Sequence, residues 1–120
     1  MIVFDRISES YEYADDAKDL QRQLMRDYNV SLRMSGRDIV VIDKIKIPPE
    51  EQGKGTGTEI MKHIVDWADA NHIILALTPS ADLGGNKNKL QVFYKRFGFV
   101  DNKGRNKDYE IWDTMYRNPE

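Results

Sequence analysis

The sequence predicts an α/β sandwich: a mixed central β-sheet with helices on both faces. Three observations predict it. A β-rich run at residues 39–47, Ile-Val-Val-Ile-Asp-Lys-Ile-Lys-Ile, follows a shorter alternating run across a turn, which reads as an antiparallel hairpin. An amphipathic helix pattern then leads into a fully apolar strand, the order expected of a parallel crossover. Further helix and strand patterns close the chain, so the sheet is mixed.

The elements follow in order. Residues 1–7 read as a first strand. Residues 13–28 read as a helix, with Ala14, Ala17, Leu20, Leu24 and Tyr28 on one face and a solvated charged face opposite. Val30, Leu32 and Met34 alternate along the next strand, and Ser35-Gly36-Arg37-Asp38 signals the turn into residues 39–47. Pro48-Pro49 ends that strand, because proline donates nothing to a sheet ladder. Residues 56–71 form the clearest helix, with Ile60, Ile64, Trp67 and Ala68 in one stripe. An apolar strand spans residues 73–77, and a glycine-containing loop spans residues 81–86. A short helix at residues 89–97 presents Leu90, Phe93, Tyr94 and Phe97, with Gly98 as its left-handed stop. Strands are expected at 99–100 and 109–116, around a polar loop at 102–108. Trp67 and Trp112 are expected to pack in the core or against the sheet, and His63 and His72 to lie on the surface.

Composition narrows the function. One domain fits the 120 residues. A net charge of −2 gives no general pull towards nucleic acid or an anionic membrane. With no cysteine, a disulfide framework, a thiolate zinc site and a cysteine nucleophile are excluded. No metal site is expected. The first residues lack a leader-like pattern and no apolar run approaches a membrane span, so the expected compartment is cytoplasmic.

The strongest chemical signal is Gln52-Gly53-Lys54-Gly55-Thr56-Gly57-Thr58, between a strand and an amphipathic helix. Glycines let a bulky anion approach the backbone, and a helix start concentrates unpaired N–H groups and positive partial charge. A phosphate or pyrophosphate is the natural ligand. The spacing fits neither a Walker A loop nor a dinucleotide fingerprint, and the next strand ends in Leu77-Thr78 with no acid for a ribose. Taken alone, the loop also reads as a plain turn.

A second motif adds to it. Gln52 to Gly57 matches Gln/Arg-x-x-Gly-x-Gly/Ala, and downstream stands Phe93-Tyr94-Lys95-Arg96-Phe97-Gly98-Phe99. In this order the two resemble the signatures of the GNAT N-acetyltransferases, over most of the chain from residue 39 to 116. The closing Met115-Tyr116-Arg117-Asn118-Pro119 is similar to small GNAT proteins of viral type.

The resemblance implies a GNAT-like sheet with a V-shaped splay between two parallel central strands. It implies an acetyl-CoA-dependent N-acetyltransferase acting on a primary amine, by direct attack in a ternary complex. Ile45, Lys46 and Ile47 would pair with the pantetheine arm, and Gln52, Gly53, Lys54, Gly55, Thr56, Gly57 and Thr58 would hold the pyrophosphate. Tyr94 would protonate the departing thiolate. The family's asparagine position falls on Lys87, and a one-residue shift would give its contact to Asn88. A glutamate used by one branch of the family falls on Val41, which leaves Asp43, expected to be partly buried, as a candidate base beside an ordinary edge carboxylate. The basic stretch between Lys87 and Lys107 reads either as a contact for the 3′-phosphate or a partner, or as a solvated surface. The amine acceptor is a small molecule or a protein or peptide, and a homodimer is common among such proteins. The other reading is a CoA-binding module acting through protein contacts.

Overall fold

The computed structural model describes residues 11–79 and 87–120. The expected first strand at residues 1–7 and the glycine-containing loop at 81–86 lie outside the described residues. Helix α1 spans Ala17–Asp27, α2 Thr56–Ala70 and α3 Lys87–Lys95. The strands are β1, Ser31–Gly36; β2, Ile39–Lys46; β3, Ile74–Leu77; β4, Val100–Asp101; and β5, Met115–Arg117. They form one mixed sheet in the order β1-β2-β3-β5-β4. Among the described strands only the β2–β3 pair is parallel, and α2 is the crossover between them.

Local chemistry sets the boundaries. The first helix starts later than the residue 13 expected, because Asp16 caps it by accepting from the Asp19 amide at 2.8 Å. Before it, Tyr11–Tyr13 is a 3₁₀ turn. Gly36 turns the β1–β2 hairpin at φ +108, where a Cβ would fall 2.1 Å from the Ile39 carbonyl oxygen, so only glycine fits.

The sheet alternation sorts two layers. Leu32, Met34, Val40, Ile42, Leu75, Leu77 and Met115 join the main core, with Leu20 and Leu24 of α1, Ile60, Ile64 and Trp67 of α2 and Tyr94 of α3. The Trp67 indole N–H donates to the Ala14 carbonyl at 3.1 Å, tying the chain before α1 to α2. The opposite face carries a smaller cluster of Ala76, Ile111 and Tyr116, with Ile39, Val41, Ile74 and Val100 against it. Thus, where helices are expected on both faces, all three helices among the described residues share one. The other is covered by the chain between β4 and β5.

That chain also corrects the expected strand at 109–116, which shortens to Met115–Arg117. The reason is Asn102. Its buried amide donates to the carbonyls of Ile111 and Asp113 at 3.0 and 2.9 Å, and more weakly to Asp108. Its carbonyl accepts from the Asp108 amide at 2.7 Å. The backbone from 108 to 113 therefore curls around one side chain instead of extending. Trp112 is turned outward, 99% exposed, so it packs in no core.

His63 is half-buried, not superficial. Its ring lies 4.5 Å from that of Tyr11, and its Nε2 is 3.1 Å from the Tyr28 hydroxyl. Burial lowers its pKa, against the opposing pull of Glu59, Asp66 and Asp27. Burial and Glu59 push Tyr28 up to about 12. Among the described residues no helix is long and apolar enough to cross a membrane.

Candidate active site

The two parallel strands pair only at their beginnings. Ile39, Val40 and Val41 face Ile74, Leu75 and Ala76, after which the ladder stops although β2 continues to Lys46. Its outer edge remains paired, Leu32 to Ile45 and Ser31 to Lys46. Among the described residues, the inner edge from Ile42 onward has no strand beside it. Backbone polar groups there need a partner. This is the V-shaped splay implied by the sequence motifs.

A cleft of 490 Å³ opens at that edge. Ile45, Lys46, Ile47 and Pro49 form one wall. Gln52, Gly53, Gly55, Thr56, Gly57 and Thr58 form the end, with Glu51 beside them. Leu90, Phe93 and Tyr94 of α3 form the other wall. The volume suits a cofactor-sized ligand, whose sites run from about 300 to 1,000 Å³.

The glycines act in two ways. Gly53 and Gly55 have φ of +81 and +82, and a Cβ on either would touch nothing within 4 Å. They are needed for conformation, and the space before them is open. Gly57 has ordinary dihedrals, but its Cβ would meet the Ile47 Cδ1 at 3.3 Å and the Phe93 Cζ at 3.9 Å. It is needed for close packing. Gly55 is the N-cap of α2 and supplies no side-chain acceptor. The first ladder bond runs from the Glu59 amide to the Gly55 carbonyl at 3.0 Å, so the amides of Thr56, Gly57 and Thr58 lack intrahelical partners. An anion is the complement of that end. Gln52 shapes the approach by donating to the Ile47 carbonyl at 3.0 Å.

Tyr94 stands at the opposite wall, 6% exposed, with edge-to-face contacts to Phe93 and Phe99. Burial raises its pKa, so the phenol stays protonated at neutral pH. Its hydroxyl has no hydrogen-bond partner among the described residues.

Three expected residues stand elsewhere. Lys54 is exposed on the loop and does not line the cleft. Asn88 lies with Lys89, Val92 and Arg96 on a separate shallow depression. Six residues on a helix turn through about 240°, so it cannot share the Tyr94 face, whereas Leu90 at four residues does. Asp43 is exposed, not partly buried, and accepts from the Ser35 hydroxyl at 2.9 Å. The register jumps there: Arg33 pairs with Lys44 and Met34 with Ile42, leaving Asp43 bulged between them. Of the basic stretch, Lys95 is engaged by Asp101 at 3.2 Å.

Sequence reasoning missed Pro49, Glu51, Leu90 and Phe93 as cleft residues. Leu90 and Phe93 were visible as an apolar helix stripe, but nothing in their spacing separates cleft wall from core. Glu51 accepts from the Thr56 hydroxyl at 3.4 Å. No group of residues suited to a metal ion occurs among the described residues.

A strand edge released from its sheet, an uncapped glycine-rich helix start and a buried phenol around one cleft define a nucleotide-thioester acyltransferase type of site. The comparisons agree. The model of the acetyltransferase (GNAT) domain matches residues 22–101, and the chain belongs to that family. No curated protein and no solved structure matches it.

Proposed function

We propose that the protein transfers an acetyl group from acetyl-CoA to a primary amine by direct attack in a ternary complex. One observation carries the reading: Tyr94 shares a cleft with the start of α2, whose glycine cap supplies no side-chain acceptor. In this reading the amides of residues 55–58 hold the pyrophosphate, and the free edge of β2 at Ile45, Lys46 and Ile47 pairs with the pantetheine arm, as an added strand would. The amine nitrogen attacks the thioester carbon while backbone N–H groups polarise its oxygen. The C–N bond forms, the C–S bond breaks, and Tyr94 gives its proton to the leaving sulfur. The proton lost by the amine passes to water or to Asp43, whose exposed carboxylate lies outside the cleft.

That position of Asp43 favours a second reading, a CoA-binding module with little turnover. Titration with acetyl-CoA, ATP and NAD, followed by intact-mass detection of acetylated amines, separates the two. Selective acetyl-CoA binding with mass gain on an amine upholds the transferase, whereas binding without gain across acceptors leaves the module. No CoA binding in folded protein removes both.

A further inference from the structure

We propose that His63 is a positioning residue for the anion site at the start of α2: it acts through the Tyr28 hydroxyl and Glu59, and its charge sets the affinity for the diphosphate of the cosubstrate. This rests on the acetyl-CoA reading above and adds a residue to it.

The groups come from three segments. Glu59 and His63 are one turn apart on α2, so their side chains share a flank. Tyr28 closes α1, and its hydroxyl lies 3.1 Å from Glu59 Oε1 and 3.1 Å from His63 Nε2. Tyr11, in the turn before α1, packs its ring on that of His63. Tyr28 therefore bolts the end of α1 to the first two turns of α2.

The protons can be placed one by one. Tyr28 has a single O–H, which burial and Glu59 keep on the oxygen at neutral pH, so it donates to the Glu59 carboxylate. Towards His63 the same oxygen is an acceptor, and Nε2 must carry a hydrogen to meet it. A further proton goes to Nδ1, and the resulting imidazolium is joined to Glu59 through one oxygen. Among the described residues, the titratable groups around the ring are Tyr11 before α1, Asp27 and Tyr28 at its end, and Glu59 and Asp66 on α2. Tyr11 is neutral and donates to Asp27, which Arg26 also holds. Burial opposes the imidazolium and outweighs the three carboxylates, so the ring gains its charge below the ordinary histidine value.

Glu59 directly follows Thr58, so a carboxylate stands one residue beyond the amides that lack intrahelical partners. Unneutralised, it repels an arriving diphosphate. His63 lies about 7.5 Å along the axis from Thr58, five residues at roughly 1.5 Å each, and helix side chains lean towards the N-terminus. That is within the screening length of about 8 Å, and a half-buried charge is screened less. A proton on His63 thus offsets Glu59 and favours the diphosphate. By reciprocity, a bound diphosphate holds that proton. Affinity is highest below the His63 pKa and falls as pH rises through it.

The test follows the imidazole C2–H signals of the full chain by NMR across the histidine range, without and with saturating acetyl-CoA. The chain has two histidines, and His72, exposed after α2, is the internal control. Acetyl-CoA should raise the His63 midpoint by about half a unit, a factor of about three in affinity, and leave His72 in place. Tyr28→Phe should shrink the His63 shift. Calorimetry then compares the parent with His63→Gln, which keeps an Nε donor for Tyr28 but cannot titrate. The parent's advantage in affinity should grow about threefold from about pH 7.5 to 5.5; phosphate titration of the ligand is common to both and cancels. A purely structural histidine would give parallel profiles. An unmoved His63 midpoint, an equal shift of His72, an undiminished shift in Tyr28→Phe or parallel profiles overturns the inference while acetyl-CoA binding stands. No acetyl-CoA binding at any pH in folded protein removes the cofactor reading, and this inference with it.

Discussion

The two ends of helix α2 are treated in opposite ways. At its C-terminal end several polar groups have protein partners. The Arg117 guanidinium, 3% exposed, donates to both Asp69 carboxylate oxygens at 2.7 and 3.1 Å and to the Phe97 carbonyl at 2.6 Å. The Glu120 amide adds a bond to Asp69 at 3.0 Å, and the Asn71 side chain donates to the Trp67 carbonyl at 2.8 Å. At the N-terminal end the cap is a glycine without a side-chain acceptor, set in an exposed loop. The chain satisfies itself where nothing is to bind and leaves donors open where an anion is to arrive. Mutations at the two ends should therefore separate stability from ligand affinity.

The largest effect is expected at the locked end. Arg117→Met leaves the Asp69 carboxylate without its partner. Removing one member of a buried pair costs about 3–5 kcal/mol, reduced here to roughly 2–4 because Asp69 is partly exposed. Chemical denaturation measures it, and acetyl-CoA affinity should hold. A variant within 1 kcal/mol of the parent would break the comparison.

Next is Tyr94→Phe. Turnover should fall about 100-fold, the lower end of general-acid effects, with stability and acetyl-CoA affinity unchanged because the hydroxyl has no partner among the described residues. Steady-state kinetics with parallel calorimetry checks this, and undiminished turnover removes Tyr94 from the chemistry. Smaller again is Gly57→Val, which drives a branched side chain against Ile47 and Phe93. It should weaken acetyl-CoA about tenfold, near 1.4 kcal/mol, by titration. Parent-like affinity would show that the ligand does not use that wall.

The smallest effect is on pH dependence. Burial pushes the Asp69 pKa up, but the Arg117 hydrogen bonds, the Glu120 amide and the Arg117 charge outweigh it, and the net shift is downward. The unfolded chain, titrating near pH 3.9, then binds more protons than the folded one in the window below that value. Stability from this group is complete above the unfolded pKa and is lost as pH falls through the folded one. Denaturation midpoints across this window should slope less in Arg117→Met than in the parent, and parallel slopes would remove the pair from the acid response.

Much of this was legible in the sequence, for physical reasons that also explain the misses. The β2 run is β-rich throughout and α2 has a strong period of 3.6, and tertiary structure left them where the pattern put them. The glycine loop and Tyr94 converge on one cleft because both sit at ends of such elements. The bulge at Asp43 had a signal, since Ile42 and Ile45 are three apart in a strand where buried positions should be two or four apart. Residues 109–116 misled because alternation was visible while the side chain that overrides it, Asn102, lies earlier in the chain. Trp112 was assigned to the core by residue type alone, and His63 to the surface by the same reasoning. Neither assignment could include the long-range contacts that decide burial.

The dependence of the 108–113 loop on Asn102 has a consequence for chemical ageing. Hydrolysis of that one amide to a carboxylate changes barely any volume. It replaces the donor that faces the Asp108, Ile111 and Asp113 carbonyls with an acceptor, so attraction at the hub turns into repulsion. A lesion of a single nitrogen at a buried site would thus be felt at the protein's most exposed tryptophan, while the cleft on the far side of the sheet kept its shape.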